Sequence, residues 1–368
     1  MNSISSSKSI NLSGNLSVPG DKSISHRSLI IGSLVSGRIE INNLLESEDV
    51  IATAEALKIL GVKINKLNDK WEVFGSGIGN FFGSDYTLNM GNSGTGARLL
   101  MGLVAGCDVE ATFIGDESLS KRPMKRVTEH LSKIGATIKL KGESFPPIKL
   151  KGTGNAVPLT FEILIPSAQI KSAIMLSALN TNGTVKIKEF KTTRDHTENM
   201  LKSMGYNIKV KENSLHRFIE MKNNQDLKTI NYNVPGDPSS AAFFISAACL
   251  KPGSKLIVKN ILFNKTRVGF VKTLKKMGGN IKVIRKRKIH NELIADLRIE
   301  QKKNLYSTTL ESVDVPLQVD EIPILSIAAS FANGLSIFRG LKELKAVSYT
   351  HLRAHETEAD LVCRLLLE

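Results

Sequence analysis

The sequence predicts an α/β fold in which one β-α-β-α-β-β unit recurs, with helices on one side of each small sheet. Three observations point there. A Gly closes a helical segment at positions 61, 135, 205 and 278, at intervals of 74, 70 and 73 residues. Each has the place of a C′ residue with φ > 0, and alternating apolar residues begin just after it. The chain has 368 residues, too many for one ordinary core, so two domains are expected.

The elements repeat in a fixed order. A Ser-containing turn opens an apolar helix, then come a Gly turn and a β-branched strand, a loop, a second helix, its Gly and two more strands. The first copy runs from Lys22 through Leu34, Ile39-Glu40-Ile41 and Ala54–Leu60 to Ile64. The second runs from Ser93 through Ala105, Ala111–Ile114 and Leu131–Ile134 to Ile138. The third runs from Ser167 through Leu179, Thr184–Ile187 and Met200–Met204 to Ile208. The fourth runs from Ser239 through Leu250, Lys255–Val258 and Leu274–Met277 to Ile281. A fifth opens at Glu321–Ala329 and Gly334–Phe338. It should continue with a second helix and two strands. After Lys345 the text becomes Ser348-Tyr349-Thr350-His351-Leu352-Arg353-Ala354-His355 instead. From about Val347 foreign sequence is expected, making 347–368 a non-native tail.

Composition narrows the function classes. Hydrophobic content of 41% is ordinary for a globular protein. The start, Met1-Asn2-Ser3-Ile4-Ser5-Ser6, has no apolar core of a signal peptide. No apolar run reaches the ~20 residues of a membrane span. Cys107, Cys249 and Cys363 form neither a disulfide framework nor a zinc spacing. A cytoplasmic protein without a membrane partner or a metal is expected. The formal charge of +15 suits either nucleic acid or small anions. With 5% aromatics there is little to stack bases on. The basic run Arg285-Lys286-Arg287-Lys288 follows an alternating stretch and reads as a solvated hairpin.

The stretches that bear chemistry stand at, or in loops flanking, helix starts. Pro19-Gly20-Asp21-Lys22-Ser23-Ile24-Ser25-His26-Arg27 puts a turn, a cap (Asp21 or Ser23), two cations and hydroxyls before an apolar run. Helix N-termini favour negative charge, so a phosphate or carboxylate fits. A solvated, well-capped helix start explains the same residues. Gly91-Asn92-Ser93-Gly94-Thr95-Gly96-Ala97-Arg98 opens the second copy's helix with backbone N–H groups accessible at glycines. It is not a Walker loop, because no Gly-Lys-Ser/Thr follows. Arg122 precedes Pro123 and is held extended. Ser167-Ala168-Gln169 heads the third copy's helix, Arg194-Asp195-His196 precedes its second helix, and Asp320-Glu321 precedes the fifth copy's helix. Caps and surface ion pairs account for each of these singly. If the ends converge, several cations and helix starts face one cleft, which suits a doubly anionic ligand set.

Six stretches in this order resemble the 5-enolpyruvylshikimate-3-phosphate synthase family of enolpyruvyl transferases. They are Pro-Gly-Asp-Lys-Ser-Ile-Ser-His-Arg, Gly-Asn-Ser-Gly-Thr-Gly-Ala-Arg, Lys-Arg-Pro-Met, Pro-Ser-Ala-Gln-Ile-Lys-Ser-Ala, Thr-Arg-Asp-His-Thr-Glu and Gly-Asp-Pro-Ser-Ser-Ala. The resemblance covers about Leu12 to Lys345. It implies a two-lobed fold of six β-α-β-α-β-β units, about five of them present here. The lobes would be 18–230, and 1–17 with 231–346. It implies transfer of the enolpyruvyl group of phosphoenolpyruvate to the 5-hydroxyl of shikimate 3-phosphate, in chorismate and aromatic amino-acid biosynthesis, by a monomer without cofactor. Lys22, Ser23, Arg27, Ser167, Ala168, Gln169, Arg194 and Asp320 would hold shikimate 3-phosphate. Lys22, Gly94, Arg122 and Gln169 would hold phosphoenolpyruvate. Asp320, as general base, and Lys22 would be catalytic.

The chain departs from the family after Lys345. A Lys-Glu-Ser/Thr-Asp-Arg motif is expected there, and Val347-Ser348-Tyr349-Thr350 stands instead. The chain as written is therefore expected to be inactive or nearly so. Two rivals remain. One is the related transferase acting on UDP-N-acetylglucosamine, whose usual opening and loop cysteine are missing. The other is a basic nucleic-acid-binding repeat protein, which salt-sensitive binding would reveal.

Overall fold

Among the described residues five small sheets carry the architecture, and four of them share one strand order. The computed structural model describes residues 11–213, 215–222 and 226–341, with the backbone of Leu366–Leu367. Strand β1 (Ser13–Ser17) leads into α1 (Lys22–Gly32), β2 (Ser36–Asn42), α2 (Glu48–Ile59), β3 (Lys63–Leu67) and β4 (Lys70–Ser76). Next come β5 (Phe82–Asn89), α3 (Gly94–Gly106), β6 (Asp108–Ile114), α4 (Glu117–Ser120), α5 (Lys125–Lys133), β7 (Thr137–Lys141) and β8 (Phe145–Lys151). The third copy is β9 (Thr160–Ile163), α6 (Ala168–Ala178), β10 (Thr184–Glu189), α7 (His196–Ser203), β11 (Ile208–Glu212) and β12 (Arg217–Lys222). Strand β13 (Tyr232–Asn233) precedes α8 (Pro238–Leu250), β14 (Lys255–Leu262), α9 (Gly269–Lys276), β15 (Ile281–Ile289) and β16 (Glu292–Glu300). The chain then forms β17 (Thr309–Leu310), α10 (Ile322–Ser330), β18 (Ile337–Phe338) and β19 (Leu366–Leu367).

The chain divides into two compact units. One is Gly20–Val234; the other joins Met1–Pro19 to Pro235–Glu368. In the first, the sheets are ordered β13-β2-β4-β3, β5-β6-β8-β7 and, read from its other edge, β9-β10-β12-β11. The leading pair is parallel and the other pairs antiparallel, as in β5–β6 against β6–β8 and β7–β8. This is the repeat made physical: strand, helix, parallel strand, helix, hairpin. The four helix-ending glycines all adopt left-handed backbone, with φ of 94° at Gly61, 111° at Gly135, 85° at Gly205 and 90° at Gly278. Only glycine does this without a Cβ penalty, so each helix stops and the chain turns into its strand.

Helices α1, α3 and α6 are the buried helices of the first unit. Helices α3 and α6 touch backbone to backbone. A Cβ at Gly102 would lie 2.4 Å from Ala173 O, and one at Gly106 would lie 2.7 Å from Ser177 O. Side chains extend the same offset, since Arg98 Nη1 donates to Gln169 Oε1 at 3.1 Å. Pairs 98–169, 102–173 and 106–177 keep constant spacing, so the two helices run parallel and start at the same end. Arg27 Nη2, on the second turn of α1, donates to Ser172 Oγ, on the second turn of α6, at 2.8 Å. All three helix starts therefore lie at one end of the unit.

The second unit holds the sheet β1-β14-β16-β15 and a smaller one, β17-β18-β19. Its core gathers Ile245, Val258, Phe270, Leu297, Leu325 and Phe338. The basic run lies on the β15–β16 hairpin, whose turn residues His290 and Asn291 have φ of 49° and 61°, the conformation of a two-residue hairpin turn. The fifth copy departs from the common order. Strand β19 pairs with β18 in parallel, where the other copies place an antiparallel return strand. The expectation for the tail from Val347 lies outside the described residues, except for the backbone of β19. Among the described residues, no helix is long and apolar enough to cross a membrane.

Candidate functional site

The start of α1 is built by its own turn. Asp21 is the cap, accepting from Ile24 N at 2.9 Å. Gly20 has no room for a side chain, since a Cβ would lie 2.0 Å from Asn43 O. Lys22 is exposed on the first helical turn and pairs with Asp49 Oδ2 at 3.1 Å. Arg27 turns inward and is only 3% exposed. Its Nε donates to Thr197 Oγ1 at 2.8 Å and its Nη1 to Ser23 O at 2.8 Å. With the bond to Ser172, it fixes a positive charge among α1, α6 and α7.

The start of α3 is capped by Ser93, whose Oγ accepts from Gly96 N at 3.1 Å. Gly94 lies between two guanidinium groups. A Cβ there would lie 2.9 Å from Arg98 Nη1 and 3.1 Å from Arg122 Nη1. Arg98 reaches back to Gly94 O at 3.0 Å and across to Gln169. Gln169 Nε2 in turn donates to Thr95 Oγ1 at 2.9 Å. Arg122 donates to Asn92 Oδ1 and to Ser118 Oγ. Gly94, Arg122 and Gln169 thus form one contiguous cluster, with Arg98 as its link. Burial above all, then Arg122 and Arg126, pushes the Arg98 guanidinium down to about 10. It stays charged at neutral pH, in the field of two cations of its own sign. Positive charges held together at a helix start are what an anion offsets.

The start of α6 is capped by Ser167, accepting from Ile170 N at 3.3 Å. Ser172 Oγ donates to Ala168 O at 2.7 Å, which joins this turn to Arg27. Arg194 lies in the segment between β10 and α7, next to Asp195 at the α7 start. The first unit therefore carries Lys22, Ser23, Arg27, Gly94, Arg122, Ser167, Ala168, Gln169 and Arg194. Asp320 belongs to the second unit. It is exposed on the 3-10 turn Val319–Glu321, beside buried Glu321. Cys107 is buried after α3, and burial pushes its thiol up to about 12, which leaves it no role as a nucleophile. Arg98 and Arg126 carry no assigned role in the sequence. The signal for Arg98 was its place one helical turn after Gly94.

The model for EPSP synthase (3-phosphoshikimate 1-carboxyvinyltransferase) matches residues 7–362. The chain belongs to the EPSP synthase family. The match runs past Val347, where the sequence turns unfamiliar. A 3-phosphoshikimate 1-carboxyvinyltransferase of Parvibaculum lavamentivorans is 45% identical over 341 residues, covering 91% of this chain and 74% of that relative. One of Bartonella quintana is 43% identical over 352 residues, covering 95% and 79%. The solved EPSP synthase of Acinetobacter baumannii superposes with a TM-score of 0.82 at 36% identity, over 91% of this chain and 75% of that one. The EPSP synthase fold is thus shared across the described α/β units, and the rival nucleotide-sugar and nucleic-acid readings lose their ground.

Proposed function

We propose that this chain transfers the enolpyruvyl group of phosphoenolpyruvate to the 5-hydroxyl of shikimate 3-phosphate and releases inorganic phosphate. The observation that carries this is the pair Arg98 and Arg122 around Gly94 at the α3 start, with the charge of Arg126 acting on Arg98, in a chain of this family. Two polyanions must meet against their mutual repulsion. Fixed cations offset that cost without reorganising, and holding both substrates removes most of the entropic barrier to their encounter.

The roles are those that the family resemblance implies for these positions. Gly94, Arg122 and Gln169 take phosphoenolpyruvate. Ser23, Arg27, Ser167, Ala168, Gln169 and Arg194 take shikimate 3-phosphate. Lys22 serves both. Asp320 removes the proton of the 5-hydroxyl as its oxygen attacks C2 of phosphoenolpyruvate, while the Lys22 ammonium gives a proton to C3 and makes it a methyl group. The tetrahedral adduct then returns one methyl proton to the Lys22 amine as the C2–O bond to phosphate breaks, leaving the enolpyruvyl ether and inorganic phosphate. The chain acts as a cytoplasmic monomer on these small molecules.

Calorimetry with shikimate 3-phosphate tests the reading. Binding is expected, and Lys22→Ala should weaken it roughly tenfold, about 1.4 kcal/mol. A folded chain that does not bind shikimate 3-phosphate overturns it. Binding is the decisive readout because Val347–Thr350 replace the expected Lys-Glu-Ser/Thr-Asp-Arg. Phosphate release from both substrates is expected to be slow for the same reason.

A further inference from the structure

Four charged side chains are buried together in the third copy. Lys171 is 0% exposed, and its Nζ lies 3.1 Å from Glu189 Oε2 and 2.9 Å from Glu198 Oε1. Arg217 Nη1 lies 3.3 Å from Glu189 Oε2 and 3.2 Å from Glu198 Oε1. Two cations and two carboxylates thus balance one another away from water. Such a group does not repay its desolvation by stability alone, since well-packed apolar residues often do as well. What it does supply is fixed geometry, and its attachments show where.

The quartet ties down the segment 190–195, which forms no helix or strand of its own. Lys171 Nζ donates to Thr193 O at 3.4 Å. Thr193 Oγ1 donates to Glu189 Oε1. Arg217 Nη2 lies 3.9 Å from Asp195 Oδ2. Both neighbours of Arg194 are therefore attached to the same buried charges. The other end of the tether is the first turn of α6. Lys171 N donates to Ser167 O at 3.1 Å, closing the turn that carries Ala168 and Gln169. One side chain links the α6 start to the Arg194 segment, and no motif of the sequence gives it a role.

We propose that Lys171 is a positioning residue, and that through the quartet it holds Arg194 and the α6 start in register for the phosphate of shikimate 3-phosphate. This rests on the assignment of that phosphate to Ser167, Ala168, Gln169 and Arg194. Shikimate itself, which lacks the phosphate, should feel the quartet little. The readout is therefore a ratio: the dissociation constant for shikimate over that for shikimate 3-phosphate, measured by calorimetry on the full chain.

Two variants test it. Lys171→Met with Glu198→Gln removes one charge of each sign and so avoids an unpaired buried ion. Thr193→Val leaves all four charges and deletes only the hydroxyl tether. The double variant should lower the ratio roughly tenfold, and Thr193→Val about threefold, with shikimate affinity nearly unchanged in both. An unchanged ratio in folded Thr193→Val and double variants overturns the proposal. So does a parallel loss of both affinities, which is what a merely structural role produces. If the unvaried chain itself shows no preference for the phosphorylated ligand, the phosphate assignment fails first and takes this inference with it.

Discussion

His26 shows burial acting strongly on a titratable side chain. It is 0% exposed, and its Nδ1 lies 2.8 Å from Thr53 Oγ1. Burial pushes the imidazole down to about 3; Asp49 pulls the other way, and Lys22 and Arg27 add to the depression. The folded chain therefore holds it neutral, while the unfolded chain takes up a proton near pH 6.5. Between about pH 6.5 and 3 the unfolded state binds more protons, so this group's share of stability falls with pH by about 1.4 kcal/mol per unit. His26→Asn keeps an amide near Thr53 and cannot titrate. Thermal melts from pH 7 to 4 should show the unvaried chain losing more stability than the variant; equal slopes would refute the assignment. Sequence reasoning at this scale stopped at contacts within reach along the chain. It narrowed the α1 cap to Asp21 or Ser23, and the bond from Ile24 N selects Asp21. It grouped Arg27 with Lys22 at the helix start as part of an anion site and gave it no protein partner. The partners that turn it inward, Ser172 and Thr197, lie 145 and 170 residues away, beyond any local pattern.

The α3–α6 pair shows what a helix surface can and cannot disclose. Gly102 and Gly106 were visible only as small residues in an apolar helix, where glycine is a poor helix former. Their reason is the neighbour: Ala173 and Ser177 pass so close that any Cβ meets backbone. Backbone cannot rotate away as a side chain can, so Gly102→Ala must part the helices. A loss of about 1–3 kcal/mol is expected, as for overpacked cores, read as a lower urea midpoint with unchanged slope. An unshifted midpoint would mean that α3 and α6 do not meet there. The same packing sets the site, because it fixes Arg98 against Gln169. Arg98 stood in the stretch that opens α3 but had no role there for that reason: its value depends on α6. The helix-ending glycines were legible because their signal is local, a stop followed by alternation, and all four have φ > 0.

At the scale of the molecule the repeat could be read from the residues, but the membership of two strands could not; it was the family resemblance that put residues 1–17 with the second lobe. By chain order β1 belongs with the first copy and β13 with the fourth. The sheets reverse this: β1 pairs with β14 and β13 with β2. Two short strands carry no label of their partner in composition, since parallel pairing depends on backbone and on the side chain that it buries. For β13 that side chain is Tyr232, 1% exposed, set opposite Ile41 with Asn233 opposite Asn42. Val234 N donates to Asn42 O at 3.0 Å, and Asn43 Nδ2 donates to Val234 O at 2.9 Å. The unit Gly20–Val234 thus closes its first sheet with its last residues. A fragment of residues 20–234 should then be more stable than one of residues 20–230. Losing a buried aromatic side chain costs about 3–5 kcal/mol in a packed core, and the bonds to Asn42 and Asn43 go with it. Urea unfolding of the two fragments decides the matter. A clearly lower midpoint for the shorter one is expected, and coincident midpoints would show that β13 is an ornament on a sheet already complete.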